Sequence, residues 1–279
     1  MNRLDNMTTS KDIPTQNRQN FWLFAALLAL SIMAGSCQKP SSQANIPSAP
    51  VRSAADVVAE ADQLYAGRAD LTKVREAVVA LRQAQADDST NYDLAWRLAK
   101  FNYYLGAHTT ESSEKEKSFH DGIEAGKLAV KLQDGKPDGH FWLGANYGGS
   151  AKLSVLAGLS DFEDIKREME TVLKLDEKYQ SGSAYMALGQ LYLEAPRILG
   201  GDAQKAVDYL EKGVRIGPDN ALMRWHLAAA YVQLHRDADA RKEIDYLLAM
   251  KPAAGYEPEY EEAVAEVRKL QEKMKQENR

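Results

Sequence analysis

Cysteine is almost absent from this sequence: Cys37 is the single one in 279 residues. No internal disulfide can form, and no cysteine pair can hold a metal or carry redox exchange. A basic excess is also missing, since 35 Lys and Arg stand against 40 Asp and Glu and the two signs are interspersed along the chain. Nothing could neutralise a phosphate backbone, so nucleic acid is excluded as a partner. The histidines, His108, His120, His140, His226 and His235, include no pair one helical turn apart and no HExxH, so no metal ligand set is visible. The Gly148-Gly149 and Gly200-Gly201 pairs lack the strand context or the Lys-Ser/Thr continuation of a phosphate-binding loop. They suit turns or close helix approaches instead. With no strained nucleophile elbow in sight, an enzyme is the weakest reading, and no catalytic residue, metal or cofactor is expected.

Long hydrophobic runs are scarce too, and the one present is Phe21 to Met33 (FWLFAALLALSIM). A polar region with Arg3, Lys11 and Arg18 precedes it, and the small residues Ala34, Gly35 and Ser36 lead from it into Cys37. A basic leader, an apolar run too short to span a bilayer comfortably and a small-residue cleavage site make residues 1–36 a signal peptide. The junction resembles the lipobox of bacterial lipoproteins. That resemblance implies an acylated Cys37 as the mature N-terminus, and Gln38 behind it implies the outer membrane, with the protein facing the periplasm. Each buried acyl methylene contributes roughly 0.8 kcal/mol, so several chains would hold the protein stably at a membrane. Residues 37–53 are rich in Pro and Ser and read as the acylated residue with a flexible tether.

Residues 54–279 carry no convincing period-two strand, only apolar residues at three-and-four spacing. The pattern predicts an all-α domain built of helix pairs. Its clearest unit is Gly182 to Pro218, two helical patterns separated by a Pro and Gly-rich joint. Tetratricopeptide repeats of about 34 residues place an apolar, a small and an aromatic residue in the first helix, then small, large, small and Pro in and after the second. Leu227, Ala228, Tyr231, Ala240, Ile244, Leu247 and Pro252 fit without a gap. Leu188, Gly189, Tyr192, Ala206, Leu210, Gly213 and Pro218 fit once the joint is given five extra residues. Earlier pairs fit more loosely, with Gly106 expected to end a helix and Asp161, Glu163 and Asp164 expected at a helix start. One pair cannot bury its apolar face, so the pairs must stack, here as a right-handed solenoid capped by a C-terminal helix from Glu257 to Glu277.

First helices line the concave face of such a solenoid. Two residues before each Leu-small pair stand Trp96, Phe141, Met186 and Trp225; one turn later come Lys100 and Gln190 among others, and then Tyr103. This stripe is either packing between repeats or a groove for an apolar small molecule or an amphipathic partner segment. Arg197, in the joint, is the loop residue best placed for a functional contact. The leading expectation is a protein-binding adaptor, and the alternative is a periplasmic binder of an apolar small molecule associated with a solute transporter.

HFWLGANYG, DFEDIKREMETVLKLDEKY and ALGQLYLEAP with LGGDAQKAVDYLEKGV resemble the T-component lipoproteins of TRAP-type transporters. More distantly, the same segments are similar to the tetratricopeptide-like regulators of microtubule dynamics. The first resemblance implies a helical solenoid with a ligand-accessible pore or cleft, partnered with a periplasmic solute-binding protein.

Overall fold

The computed structural model describes residues 52–153 and 155–277. Cys37 and the signal peptide, on which the lipid anchor and the localisation rest, lie outside the described residues. Eleven α-helices follow among those described: α1 (Ala54–Ala66), α2 (Leu71–Asp87), α3 (Tyr92–His108), α4 (Ser112–Leu132), α5 (Pro137–Ala151), α6 (Val155–Leu175), α7 (Ser183–Glu194), α8 (Ala203–Ile216), α9 (Ala221–Gln233), α10 (Asp237–Ala249) and α11 (Glu257–Glu277).

Local chemistry sets where these helices begin. The Asp56 N–H donates to Ser53 Oγ at 3.1 Å, while the Asp56 carboxylate accepts from the Ser53 N–H at 3.3 Å, a reciprocal cap on α1. Asp70, Asn91, Asp202 and Asn220 cap α2, α3, α8 and α9 through their side chains. Each such cap contributes about 1 kcal/mol. A fully buried Leu contributes roughly 1.5–3 kcal/mol, so the apolar layers outweigh the caps in holding the stack.

Those layers follow the repeat pattern. Each helix packs on its neighbours in sequence, α3 also meets α5, α7 meets α9, and α11 lies on α9 and α10 as a cap. Val74, Leu81, Leu94 and Phe101 fill the first layer, Met169, Val172 and Leu188 the middle, and Leu210, Met223, Leu227, Ile244 and Leu247 the last, all completely or almost completely buried. The solenoid of helix pairs is therefore as the spacing predicts.

Two local expectations are corrected. Gly106 does not end α3, which continues to His108. Its role is close approach: a Cβ there would lie 2.9 Å from the Phe119 ring, and one on Gly149 would lie 2.1 Å from the same ring. The Phe119 ring thus occupies space that two missing side chains leave open. Secondly, α6 begins at Val155, so Asp161, Glu163 and Asp164 lie inside it, and the last two pair with Lys166 and Arg167 one turn on. Their chemistry is that of ion pairs along a helix rather than of a helix start.

The joint after α7 is formed as its residues require. Pro196 follows the last turn of α7, Arg197–Leu199 make a short 3-10 turn, and Gly200 takes φ +103°, a backbone conformation that disfavours side chains. Asp202 then accepts from the Gln204 and Lys205 N–H groups at 2.9 and 3.1 Å and starts α8.

Candidate functional site: a central cavity

The stack holds a partly open cavity of about 960 Å³, with walls from α3, α5, α7 and α9, the end of α1, parts of α4 and α6, and the start of α11. That volume falls within the range of pockets that enclose small organic molecules. Tyr103, Phe141, Met186, Gln190 and Trp225 line it. Phe141 is wall and core at once, packing edge-on to Trp142 at 4.9 Å and against Tyr179 at 5.3 Å between ring centroids.

Trp96, Lys100 and Arg197 are not brought to the cavity wall. The Trp96 indole N–H donates to Asp93 at 3.1 Å, and the Arg97 guanidinium lies 4.2 Å from its ring, so it is held against its own helix. Lys100 sits behind the wall, its Nζ 4.4 Å from the Tyr65 ring centroid and 5.8 Å from that of Trp142. Arg197 is exposed on its turn, while Pro196 and Leu199 beside it reach the cavity. The repeat register therefore carries three of the four stripe positions into one lining and loses the one at the N-terminal end.

Tyr65, Tyr104, Trp142 and His226 also line the cavity, and none of them stands out from spacing alone. His226 is buried and stacks on Trp225 at 4.2 Å. Burial pushes its imidazole down to about 4, with Lys152 adding to the effect and Glu194 opposing it, so the ring is neutral at physiological pH. Burial likewise pushes the Tyr103 hydroxyl up to about 12, helped by Glu262 and Glu194. The Trp142 Nε1–H is buried without an acceptor.

Repeats in a solenoid normally contact only their neighbours, yet here the first pair and the last helix meet. Arg68, just after α1, donates through Nη2 to both Glu259 carboxylate oxygens at 2.6 and 2.8 Å and to the Gly255 carbonyl at 2.6 Å, with Nε adding a bond of 3.0 Å. Its guanidinium faces Tyr65 and Tyr104 at 5.2 and 5.8 Å. Beside this clasp the His108 Nδ1–H donates to the Tyr104 carbonyl at 2.8 Å, leaving Nε2 3.9 Å from Glu262. Burial raises the Glu262 carboxyl; His108 opposes that effect, and Glu259 and Glu266 reinforce it. A second bridge, Lys152 to Glu194 at 3.0 Å, joins the ends of α5 and α7. These two ion pairs tie together elements on either side of the cavity, which stays partly open to solvent.

Among the described residues no three of His, Cys, Asp and Glu gather as a metal site would require, and no helix is long and apolar enough to cross a membrane.

Comparison with known proteins agrees with this architecture. No curated protein matches the chain. The crystal structure of TTC0263, a thermophilic TPR protein of Thermus thermophilus, is similar with a TM-score of 0.57 at 18% identity, over 76% of this chain and 100% of that one. Two crystal structures of MamA give TM-scores of 0.45, at 19% identity over 65% of this chain and 91% of the other, and at 17% over 69% and 90%. The likeness to TTC0263 establishes the fold as a tetratricopeptide-type solenoid. Residues 57–195, from α1 to the end of α7, match the family model described as regulator of microtubule dynamics protein 1-3, so this stretch is similar to the more distant of the two families that the sequence resembles.

Proposed function

We propose that the protein is a non-catalytic binding protein whose bridged solenoid holds one small, mainly apolar molecule in its central cavity. The observation that carries this reading is the cavity itself, about 960 Å³, lined by aromatic side chains. The Arg68–Glu259 clasp ties the first pair to the last helix beside this cavity and narrows the access to it. Bound N-phenylnaphthylamine should fluoresce in a saturable manner, with one site per chain. Ala145→Trp, which fills the lining from α5, should abolish that signal while the helical circular dichroism stays as before. Saturable binding that survives the filled cavity would place the ligand elsewhere and end this reading.

The same proposal includes an anchor at Cys37, a position facing the periplasm at the outer membrane, and exchange of the ligand with a periplasmic solute-binding protein. Cys37→Ala should move the protein from the membrane to the soluble fraction, or leave the leader uncleaved, and should stop incorporation of a labelled fatty acid. Unchanged fractionation and labelling would remove the anchor from the proposal. The adaptor reading has one specific observation in its favour, Ile198, which is 91% exposed beside Arg197 on the joint. A protein partner would dock there, on the outside, and leave the cavity free.

A further inference from the structure

One buried polar side chain on the cavity wall has no partner. His226, on α9, is 4% exposed and lines the cavity beside Trp225, on which it stacks. Neither ring nitrogen makes a hydrogen bond among the described residues. Nor are these nitrogens sealed in the core: the unpartnered side-chain atoms that are fully enclosed belong to Glu60, Gln85, Trp142 and Asn146. The small surface that His226 keeps therefore includes its nitrogens. It opens on the cavity, where Glu194 and Lys152, the charged groups that act on the ring, also stand. A neutral imidazole offers one N–H donor and one bare nitrogen acceptor. A ligand that displaces water from such a wall loses affinity unless it replaces the hydrogen bonds of that water.

The surroundings decide which polar group suits this wall. Burial strips the proton from the His226 ring, with Lys152 adding to the effect, and a ligand ammonium placed beside it would meet the same cost. Burial likewise keeps the Tyr103 hydroxyl protonated; it lines the cavity from α3 and has no hydrogen-bond partner among the described residues. A ligand carboxylate is opposed by Glu194, Asp219, Glu259 and Glu262, which outnumber Lys115 and Lys152 on the lining. Three of those acids are engaged: Glu194 by Lys152 and Gln190 at 3.0 and 2.8 Å, Asp219 by the Tyr246 hydroxyl at 3.2 Å, and Glu259 by Arg68. Glu262 has His108 Nε2 at 3.9 Å, and burial raises its carboxyl, with Glu259 and Glu266 reinforcing and His108 and Lys152 opposing. Charge of either sign is costly beside His226, whereas a neutral group that both donates and accepts is not.

Resting on the small-molecule reading, we infer that the ligand is an apolar alcohol whose hydroxyl group is received by His226. The apolar body fills the aromatic cavity. The hydroxyl donates to the bare ring nitrogen or accepts from the N–H, so either tautomer serves. His226 is thus a specificity-determining residue for alcohols over the corresponding acids, amines and hydrocarbons.

The test uses the full chain and four probes that share a body: naphthylethanol, ethylnaphthalene, naphthylacetate and naphthylethylamine, each displacing N-phenylnaphthylamine at neutral pH. The alcohol should bind at least about tenfold more tightly than the acid or the amine, equal to about 1.4 kcal/mol. In His226→Phe the alcohol should lose about fivefold in affinity relative to ethylnaphthalene, equal to about 1 kcal/mol, the size of one net hydrogen bond. His226→Gln, which keeps a donor and an acceptor, should retain most of that advantage. The alcohol, but not ethylnaphthalene, should also shift the nitrogen NMR resonances of the His226 ring, and this measurement on the parent decides the matter should His226→Phe fail to fold. An acid that binds as tightly as the alcohol, an alcohol-to-hydrocarbon ratio unchanged in His226→Phe, or ring nitrogens indifferent to the alcohol would overturn the inference. Tightest binding of the amine would also overturn it and place the polar head at Glu262. Each of these leaves the cavity reading standing, whereas no binding of any probe, N-phenylnaphthylamine included, overturns both.

Discussion

Replacing Arg68 with Ala is expected to lower the unfolding free energy by about 1–3 kcal/mol, because it leaves a partly buried carboxylate without its partner. The Arg68 side chain is 7% exposed and that of Glu259 25%, so water can replace only part of what the carboxylate loses. Four hydrogen bonds end on this guanidinium, and two tyrosine faces lie against it. The loss should be local before it is global. Hydrogen exchange in the first turns of α11, which depend on Glu259 and Gly255 for their tie to the first pair, should rise well before exchange in α9. Arg68→Met combined with Glu259→Leu should recover most of the stability, since replacing both charges with apolar groups of similar volume removes the stranded carboxylate. Chemical denaturation of the three proteins checks the order. A single variant as stable as the parent would mean that the clasp is held by the helix layers and not by its ion pair. Opening the clasp should also speed release of an apolar probe from the cavity, since α1 and α11 close its side.

Much of this architecture was legible because a solenoid is local. Leu188 and Gly189, or Leu227 and Ala228, need only their own pair and the next one to be buried, and three-and-four spacing reports that need directly. The same register brought Phe141, Met186 and Trp225 to one lining. What spacing could not report are the contacts that break the nearest-neighbour rule. Arg68 and Glu259 are 191 residues apart, and neither lies on a repeat position. Trp142, which also lines the cavity, follows Phe141 in the chain and so falls outside a pattern that samples one residue per turn. Gly106 misled for a related reason. A glycine near a helix end signals termination only when no partner helix needs its missing Cβ, and here the Phe119 ring does.

The pair that holds the third repeat together should give stability a pH optimum in mildly acidic solution. His140 Nδ1 lies 2.7 Å from Glu168 Oε2 and Nε2 lies 2.8 Å from the Asp134 carbonyl. Both partners are acceptors, so both ring nitrogens must donate, and the imidazole is positively charged. The hydrogen bond to Glu168 raises the His140 pKa above the ordinary 6.5; burial opposes it, and the Asp134 carbonyl and carboxylate add to it. For Glu168, burial works to raise the carboxyl, but the hydrogen bonds from His140 and from Arg167, at 2.9 and 3.1 Å, outweigh it and lower the group below 4.5. A raised His contributes its full stabilisation below its unfolded value and loses it as pH rises through the folded one. A lowered carboxyl contributes above its unfolded value and loses it as pH falls through the folded one. The two windows overlap between roughly pH 4.5 and 6.5, which is where the pair holds α5 on α6 most firmly. Glu168→Gln removes the charge from a pair whose side chains are 6% and 8% exposed, and should cost about 3–5 kcal/mol inside that window. Above the folded His140 value the cost should shrink, because the imidazole is by then neutral in the parent as well. Melting curves of the two proteins across the range would show the difference narrowing as pH rises, and a constant difference would mean that His140 is not charged in the folded protein.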